Sequence, residues 1–312
     1  MRRTAALAVF ALVFVACSSN SVATTLPATT VPPNTSSTTA ATSTTSLTTT
    51  SLPATTVTTT TVTTTTVTTP PPGAVHVPFT STLSLDIYGS GGPTVVLFHG
   101  GGWVTGSPAD IAPLAEAIAQ RSAVVFNAPY RLTFEGGGFP MTFEDAACAV
   151  RFAAAHTAEY GGDPDRLIVV GYSAGAQIAA VVALAGDTFD GDCLVEMNDT
   201  LPTRLVGLAG PYNTDALGPL LEPFFGTDPA VDPEPWRLGN PLTYLGRNPD
   251  LVVRLIHGDQ DQIVPLVFSQ YFEQQLSDHG YDVTLTVVPG ADHGDIADPA
   301  AYGGLAVDAA VG

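Results

Sequence analysis

The sequence predicts an α/β fold built on a doubly wound, mostly parallel sheet. Short apolar runs rich in β-branched residues alternate with helical patterns over residues 76–312. The apolar runs are continuous and do not alternate with polar residues, which is typical of a sheet buried on both faces. Alternation of strands and helices favours a parallel arrangement. Ligands in such sheets bind beyond the carboxyl ends of the strands, so polar residues that follow strands are the first candidates for a site.

Each predicted strand is a short run of apolar residues, and each predicted helix is a longer segment with a helical pattern. The predicted strands are Leu83–Tyr88, Thr94–Phe98, Ala123–Asn127, Leu167–Val170, Leu205–Ala209, Leu251–Ile256 and Val283–Val288. The predicted helices are Asp110–Arg121, Thr142–Thr157, Ala174–Ala185, Pro265–His279 and Ala301–Ala310. Residues 211–250 carry many prolines and several aromatic residues, which predicts a short, loop-rich lid insertion at the carboxyl edge of the sheet. The insertion is too short to form a second domain.

Residues 1–17 have the features of a lipoprotein-type bacterial signal peptide. Arg2 and Arg3 supply a charged start, and residues 7–15 form an apolar core that is too short for a membrane-spanning helix. Small residues precede Cys17, which predicts lipidation of this cysteine and anchoring on the extracellular side of the cell membrane. An ordinary secretory signal with an incidental cysteine is the alternative, and it predicts a secreted protein.

Residues 18–75 form a low-complexity segment of Thr, Ser, Pro and Val that contains no acidic or basic residue. Such a segment buries too little apolar surface to offset the entropy lost on ordering, so the composition predicts a disordered linker. Its expected role is to space the domain away from a membrane or across a cell wall. Residues 76–312 have a length that suits one α/β domain.

The charge balance excludes several classes of partner. The chain has a net charge of −19, with 10 basic residues against 29 acidic ones, and every basic residue is an arginine. This balance argues against nucleic acid and against an anionic membrane surface as partners. Contact with a membrane is therefore expected only through a lipid anchor at Cys17. An anionic substrate would be repelled more than a neutral or cationic one.

Two cysteines remain for the folded domain if Cys17 is lipidated. Cys148 falls on the predicted helix before the strand 167–170, and Cys193 follows the predicted helix after that strand. These helices are expected to be neighbours, and an exported domain meets an oxidising environment, so a Cys148–Cys193 disulfide is predicted. Two buried thiols are the alternative.

The most informative motif is Gly-x-Ser-x-Gly at residues 171–175, between a predicted strand and a predicted helix. A tight turn there holds the serine backbone at positive φ, and the two glycines allow close approach of the neighbouring backbone. Ser173 is therefore the candidate nucleophile. The alternative interpretation is a serine in a turn that caps the helix.

A serine nucleophile needs a base and an acid. His293 follows the last predicted strand and is the best candidate for the base. Asp261 is the favoured acid because it lies farther into the loop after its strand than Asp259, which is expected to shape the turn. Asp292 is adjacent to His293 in the sequence and is poorly placed to reach its ring.

Backbone N–H groups that stabilise a developing oxyanion are predicted at two places. Ala174 supplies one at the start of the helix, and Gly101 and Gly102 supply others in the segment His99-Gly-Gly-Gly-Trp103. A flexible loop is the alternative reading of the three glycines, but their position directly after an apolar strand disfavours it.

Together these motifs resemble the esterase and lipase group of α/β-hydrolases with a His-Gly-Gly-Gly motif. The resemblance covers residues 83–299. Its matching segments are His99–Trp103, Ala128–Leu132, Tyr160–Leu167, Gly171–Gly175, Asn240–Tyr244, His257–Pro265 and Gly290–Gly294. Tyr172 stands where hormone-sensitive-lipase-like members usually carry aspartate, and the chain has no room for their large N-terminal cap. Both departures point to the smaller-capped, BD-FAE-like esterases.

The resemblance implies an α/β-hydrolase fold and a serine carboxylic-ester hydrolase that works through an acyl-enzyme, without a metal or an organic cofactor. The implied substrate is a short-chain ester or an acylated carbohydrate. The aromatic candidates for the substrate pocket are Trp103, Phe224, Phe225 and Trp236, and a place in the core is their alternative role. Two other functions remain open. They are a catalytically inactive, surface-displayed binding lipoprotein on a hydrolase scaffold, and an amidase or peptidase of the same fold.

Overall fold

The computed structural model describes residues 73–196 and 201–312. The predicted signal peptide, its lipidation site Cys17 and the predicted linker up to residue 72 lie outside the described residues. The first described strand begins at Val75, inside the segment assigned to the linker, because Val75 already pairs with Ile87. Within the described ranges, no helix has both the length and the apolar character needed to cross a bilayer.

One eight-stranded sheet forms the centre of the molecule, in the strand order β1-β2-β4-β3-β5-β6-β7-β8. Its strands are β1 (Val75–Pro78), β2 (Ser84–Gly89), β3 (Pro93–Phe98), β4 (Val124–Ala128), β5 (Asp163–Tyr172), β6 (Arg204–Leu208), β7 (Val252–Gly258) and β8 (Asp282–Val288). The pairs β1–β2 and β2–β4 are antiparallel, and all other pairs are parallel. The predicted doubly wound, mostly parallel sheet is confirmed.

The sequence does not predict β1. This strand has only four residues, Val-His-Val-Pro, and is largely exposed at the edge of the sheet. Its apolar signal is therefore weak, and its existence depends on pairing with β2. His76 of β1 also contacts Asp86 of β2, with 2.7 Å between Nδ1 and Oδ1.

Helices cover both faces of the sheet. They are α1 (Ala112–Ala119), α2 (Met141–His156), α3 (Ala174–Ala185), α4 (Glu222–Phe225), α5 (Glu234–Leu238), α6 (Val267–Asp278) and α7 (Gly303–Val311). Val95 and Leu97 of β3 face the apolar layer formed with α1 and α7, whereas Val96 and Phe98 face the layer formed with α2, α3 and α6. The central strands are thus buried on both sides, which explains their continuous apolar sequences.

The insertion, residues 211–250, is more helical than the sequence predicts. It contains the 3₁₀ segments Thr214–Leu221 and Pro241–Tyr244 in addition to α4 and α5. Pro223, Pro235 and Pro241 occupy the first or second position of these short helices. Proline is tolerated there because its missing N–H has no partner in a first turn, so these prolines start helices and do not interrupt them. Further 3₁₀ segments lie at Pro108–Ile111, Thr133–Glu135, Thr157–Tyr160 and Gly186–Thr188.

A disulfide joins Cys148 of α2 to Cys193 in the segment after α3, with Cα atoms 5.0 Å apart. The two cysteines are 45 residues apart in the sequence. Arg151 lies beside it and donates from Nη1 to Sγ of Cys193 at 3.1 Å. The bridge therefore ties the segment that follows α3 to the neighbouring helix.

Candidate active site

Ser173 lies in a sharp turn between β5 and α3, with φ 55° and ψ −122°. This conformation is unfavourable for a non-glycine residue by roughly 1–3 kcal/mol, so the surrounding contacts must enforce it. The N–H of Ser173 donates to the carbonyl of Leu208 at 2.8 Å. A Cβ on Gly175 would lie 2.3 Å from the carbonyl oxygen of His99, and one on Gly171 would lie 2.2 Å from that of Gly175. Only glycine fits at either position, as the motif predicts.

His293 follows β8 and reaches the serine across the carboxyl edge of the sheet. Its Nε2 lies 2.9 Å from Oγ of Ser173, and its Nδ1 lies 2.6 Å from Oδ2 of Asp261. The carboxylate only accepts, so Nδ1 carries the proton and Nε2 is left to accept from the serine hydroxyl. The structure therefore brings together three side chains that are 32 and 120 residues apart in the sequence.

Asp261 is held as a carboxylate in a buried position after β7. Its side chain has no exposed surface, and Oδ1 accepts the N–H groups of Ile263 and Val264, both at 2.8 Å. Burial alone would raise the pKa of Asp261. Hydrogen bonds from His257 and His293, the charge of His293 and the N–H of Val264 outweigh burial and lower this pKa below its usual range. The carboxylate thus stays ionised and can support a positive charge on His293.

His257 is a part of this network that the sequence reading does not identify. It is fully buried at the end of β7, and its Nε2 lies 2.8 Å from the carbonyl oxygen of Val264 and 3.2 Å from Oδ2 of Asp261. A single Nε2–H shared between these acceptors leaves Nδ1 to accept from Ser269 Oγ at 2.7 Å. The feature of the sequence that points to His257 is its position four residues before Asp261.

The two other candidate carboxylates shape turns and do not reach His293. Oδ1 of Asp259 accepts the N–H of Gly290 at 2.8 Å and thereby joins the loops after β7 and β8. Oδ1 of Asp292 accepts the N–H groups of Gly294 and Asp295 at 2.9 and 3.1 Å. The choice of Asp261 over its neighbours agrees with this geometry.

Tyr172 contacts both the ring and the backbone of His293. Its ring packs on that of His293 with centroids 5.1 Å apart, and its hydroxyl donates to the carbonyl of His293 at 3.2 Å. Burial, together with the charges of Asp261 and Asp292, raises the pKa of Tyr172, so the hydroxyl remains a neutral donor. Tyr172 therefore gives the imidazole of His293 an aromatic neighbour and its carbonyl a hydrogen-bond donor.

The segment His99–Trp103, called the oxyanion loop below, follows β3 and passes Ser173. Gly101, Gly102 and Trp103 have φ values of 122°, 60° and 63°. A Cβ on Gly101 would lie 2.0 Å from the carbonyl oxygen of Thr105, whereas one on Gly102 would meet nothing within 4 Å. Within the described residues, the N–H groups of Gly101, Gly102 and Ala174 have no backbone acceptor. They are thus available to a bound oxygen.

His99 has a structural role in this loop. Its ring stacks on Tyr130 with centroids 4.3 Å apart, and Nδ1 donates to the carbonyl of Gly100 at 2.7 Å. Tyr130 in turn donates its hydroxyl to the carbonyl of His99 at 2.8 Å. Burial lowers the pKa of His99, which keeps its ring neutral.

The four aromatic candidates for the substrate pocket are all buried, with at most 7% of each residue exposed. Trp103, the last residue of the oxyanion loop, contacts Phe224, with ring centroids 5.7 Å apart. Phe225 packs on Trp236 at 4.4 Å, and the indole N–H of Trp236 donates to Thr227 within the insertion. Phe225 and Trp236 belong to the hydrophobic core, in the same cluster as Phe143 of α2.

In the described part of the chain, no group of three or more His, Cys, Asp or Glu side chains is arranged to hold a metal ion. The imidazole of His293 lies between the hydroxyl of Ser173 and the carboxylate of Asp261. N–H groups without backbone acceptors lie in the neighbouring segments. Such an arrangement activates the hydroxyl as a nucleophile.

Residues 85–276 match the model of the BD-FAE family. The chain belongs to the BD-FAE family. This BD-FAE protein is 37% identical over 132 residues to carboxylesterase NlhH of Mycobacterium tuberculosis, which covers 42% of the chain and 41% of that relative. It is 30% identical over 223 residues to the probable isoprenylcysteine alpha-carbonyl methylesterase ICMEL1 of Arabidopsis thaliana, covering 65% and 46% of the two chains. The chain thus spans less than half the length of either curated relative.

Solved structures agree with the family. The apo form of Thermogutta terrifontis esterase 2 is 25% identical to this BD-FAE protein, with a TM-score of 0.63 over 76% of this chain and 92% of that one. Other structures of the same esterase are described as its propionate-bound and butyrate-bound forms. The predicted α/β-hydrolase fold is confirmed.

The lowered pKa of Asp261 predicts how Asp261→Asn changes stability with pH. A carboxylate with a lowered pKa stabilises the folded state fully above its unfolded pKa of roughly 4, and this contribution is lost as the pH falls toward the folded value. We expect the difference in unfolding free energy between wild type and Asp261→Asn to be constant from pH 7 to about 5 and to shrink below about pH 4. Urea denaturation at several pH values measures this difference.

The exposed Asp250→Asn is the matched control, because it removes the same charge without touching His257 or His293. A free aspartate has a pKa of roughly 4. A difference in unfolding free energy between wild type and Asp261→Asn that stays constant down to about pH 2.5 would contradict the lowered pKa of Asp261.

Proposed function

We propose that this protein is a serine carboxylic-ester hydrolase. The observation that carries the proposal is the continuous chain of contacts from Ser173 Oγ through His293 to Asp261, at 2.9 and 2.6 Å. Membership of the BD-FAE family and the esterase names of its relatives support the same reaction class.

In the proposed acylation step, His293 Nε2 takes the hydroxyl proton as Ser173 Oγ bonds to the carbonyl carbon of the ester. The carbonyl oxygen becomes an oxyanion and accepts hydrogen bonds from the N–H groups of Gly101, Gly102 and Ala174. Asp261 stabilises the imidazolium through Nδ1–H. The C–O bond to the alcohol then breaks, and the alcohol leaves with the proton from Nε2.

Deacylation repeats these steps with water. His293 removes a proton from a water molecule, whose oxygen attacks the acyl-enzyme carbonyl. The second oxyanion uses the same N–H groups, and Ser173 leaves with the proton that His293 returns. The net reaction converts an ester and water into an acid and an alcohol, and no electron is transferred.

Short acyl chains are the proposed substrates. Trp103 of the oxyanion loop packs against Phe224, and both are almost fully buried, which favours a small acyl group at this end of the site. The structural neighbour described in propionate-bound and butyrate-bound forms supports the same size range. An acetylated carbohydrate falls in this class of small esters.

A missing or displaced triad member would favour the alternative of an inactive binding protein, whereas Ser173 and Asp261 each lie within hydrogen-bond distance of His293. The amidase alternative uses the same residues. Parallel assays on an ester and on the matching anilide separate it from the esterase, because both leaving groups are coloured.

We predict that the full-length chain hydrolyses p-nitrophenyl acetate and butyrate, and that activity falls steeply toward the palmitate ester. Ser173→Ala removes the nucleophile and should lower kcat/KM by at least about 10³-fold. Ser277→Ala, an exposed serine on α6, is the matched control and should retain activity. Initial rates across the series of chain lengths provide the measurement.

Equal rates for wild type and Ser173→Ala would contradict the nucleophile and favour the binding protein. Faster turnover of palmitate than of butyrate would contradict the short-chain assignment. Turnover of the anilide at a rate matching the ester would favour the amidase.

We further propose that the protein is exported and anchored through lipid on Cys17, with residues 18–75 as a spacer. The charged start, the short apolar core and the small residues before Cys17 support this location.

In a bacterial host, labelling with an alkyne fatty acid should mark the wild-type chain, and Cys17→Ser should abolish the label because the acceptor thiol is lost. Ser19→Ala, which leaves Cys17 intact, is the control. Equal labelling of wild type and Cys17→Ser would contradict the anchor, and an unlabelled wild type found in the medium would favour the plain secretory signal.

A further inference from the structure

A buried amide connects the nucleophile helix to two loops that flank the site. Gln177 lies in the first turn of α3, four residues after Ser173, and has no exposed surface. Its Oε1 accepts the indole N–H of Trp103 at 3.0 Å, and its Nε2 donates to the carbonyl of Gly239 at 2.6 Å. An amide in an otherwise apolar helix is retained here with both polar groups satisfied, which marks it as a specific connector.

Trp103 is the residue through which Gln177 reaches the oxyanion loop. Trp103 has φ 63°, an unfavourable value for a bulky aromatic residue, so its conformation must be imposed by its contacts. The carbonyl of Trp103 accepts both the N–H and the hydroxyl of Thr133, each at 2.9 Å. The indole N–H is bound by Gln177. The end of the loop is therefore fixed at its backbone and at its side chain.

The insertion determines which way the amide of Gln177 points. The carbonyl of Gly239 only accepts, and the indole N–H of Trp103 only donates, so Nε2 must face the first and Oε1 the second. Gly239 is itself tightly packed, because a Cβ there would lie 2.3 Å from Cε1 of Phe225. The contact with Gly239 thus keeps the amide turned toward Trp103.

We propose that Gln177 is a positioning residue that holds the oxyanion loop at a fixed distance from Ser173 and links that loop to the insertion. The inference rests on the proposed esterase function. Ser173 directly precedes the buried helix α3 and Gln177 lies in its first turn, so the nucleophile and the anchor of Trp103 move together. Loss of the anchor lets Gly101 and Gly102 move away from the oxyanion, which weakens the transition state more than substrate binding.

The test compares substitutions of two buried amides in the full-length chain: Gln177 in the first turn of α3, and Asn248, which lies before β7 and contacts the other end of α3. Gln177→Leu keeps the approximate size of the side chain and removes both hydrogen bonds. Asn248→Leu is the matched control, because Asn248 is also buried and donates to the carbonyls of Ala183 and Pro202 at 3.0 and 2.9 Å, far from Ser173 along the helix. Melting temperatures show the structural cost of each change.

For Gln177→Leu we expect kcat on p-nitrophenyl acetate to fall at least about 10-fold with KM within about 3-fold of wild type, since small displacements of catalytic groups cost this much or more. Binding of a trifluoromethyl ketone, which forms a tetrahedral adduct with serine, should weaken by the same factor as kcat/KM. Asn248→Leu should lower the melting temperature without changing kcat.

Trp103→Phe provides a second variant that removes the donor and keeps Gln177. It should also lower kcat, and the double variant Gln177→Leu/Trp103→Phe should be no worse than the poorer single one, because both remove the same hydrogen bond. If Gln177→Leu does not fold, a fall in kcat of Trp103→Phe supports the inference, and unchanged kcat overturns it.

The outcomes separate this inference from the function on which it rests. Active wild type with unchanged kcat in Gln177→Leu, an effect confined to KM, or an equal loss of kcat in Asn248→Leu would overturn the positioning role alone. Wild type that is no more active than Ser173→Ala would overturn the proposed function and this inference with it.

Discussion

The close contact between the first turn of α3 and the end of β3 is the constraint on which the site depends. Cβ atoms are excluded at Gly175 by the carbonyl oxygens of Phe98 and His99, which would lie 2.5 and 2.3 Å away. This approach forces the chain to turn sharply at Ser173, whose positive φ lifts the hydroxyl out of the sheet. It also places Gly100 against the serine, because a Cβ on Gly100 would lie 3.1 Å from that of Ser173. Nucleophile and oxyanion loop are thus neighbours as a result of one helix packing on one strand.

The opposite half of the site is assembled by the loops after β7 and β8. A fully buried carboxylate is costly unless donors surround it. Asp261 meets this requirement with two backbone N–H groups on Oδ1 and the histidines His257 and His293 on Oδ2. Asp259 joins the two loops through the N–H of Gly290, so the acid and the base are carried by connected segments.

Local signals suffice for the parts of the site that local backbone geometry creates. The motif at residues 171–175 predicts its own turn, and the position of a residue just after a parallel strand predicts its place at the carboxyl edge. For this reason the sequence predicts that Ser173, Asp261 and His293 lie together and that Asp259 shapes a turn, and the side chains have these positions in the structure. The central strands are also predictable because burial on both faces leaves continuous apolar runs.

Contacts between distant segments are not predictable in the same way. β1 exists through pairing with β2 and has little apolar signal of its own. The sequence gives Gln177 no partner, because Trp103 lies 74 residues before it and Gly239 lies 62 residues after it. The prolines of the insertion indicate loops, whereas in the structure Pro223, Pro235 and Pro241 lie in the first turns of short helical segments, where proline is tolerated. Composition alone does not distinguish a proline in a loop from a proline in the first turn of a helix.

Covalent labelling shows whether packing activates one serine through one histidine. A fluorophosphonate reacts with an activated serine, whose oxygen bonds to phosphorus as fluoride leaves. We expect the wild-type chain to take up one equivalent, which peptide mass spectrometry should locate on Ser173. His293→Gln should react at least about 10²-fold more slowly because the general base is gone. Labelling of another serine, or an equal labelling rate in wild type and His293→Gln, would contradict the activation of Ser173 by His293.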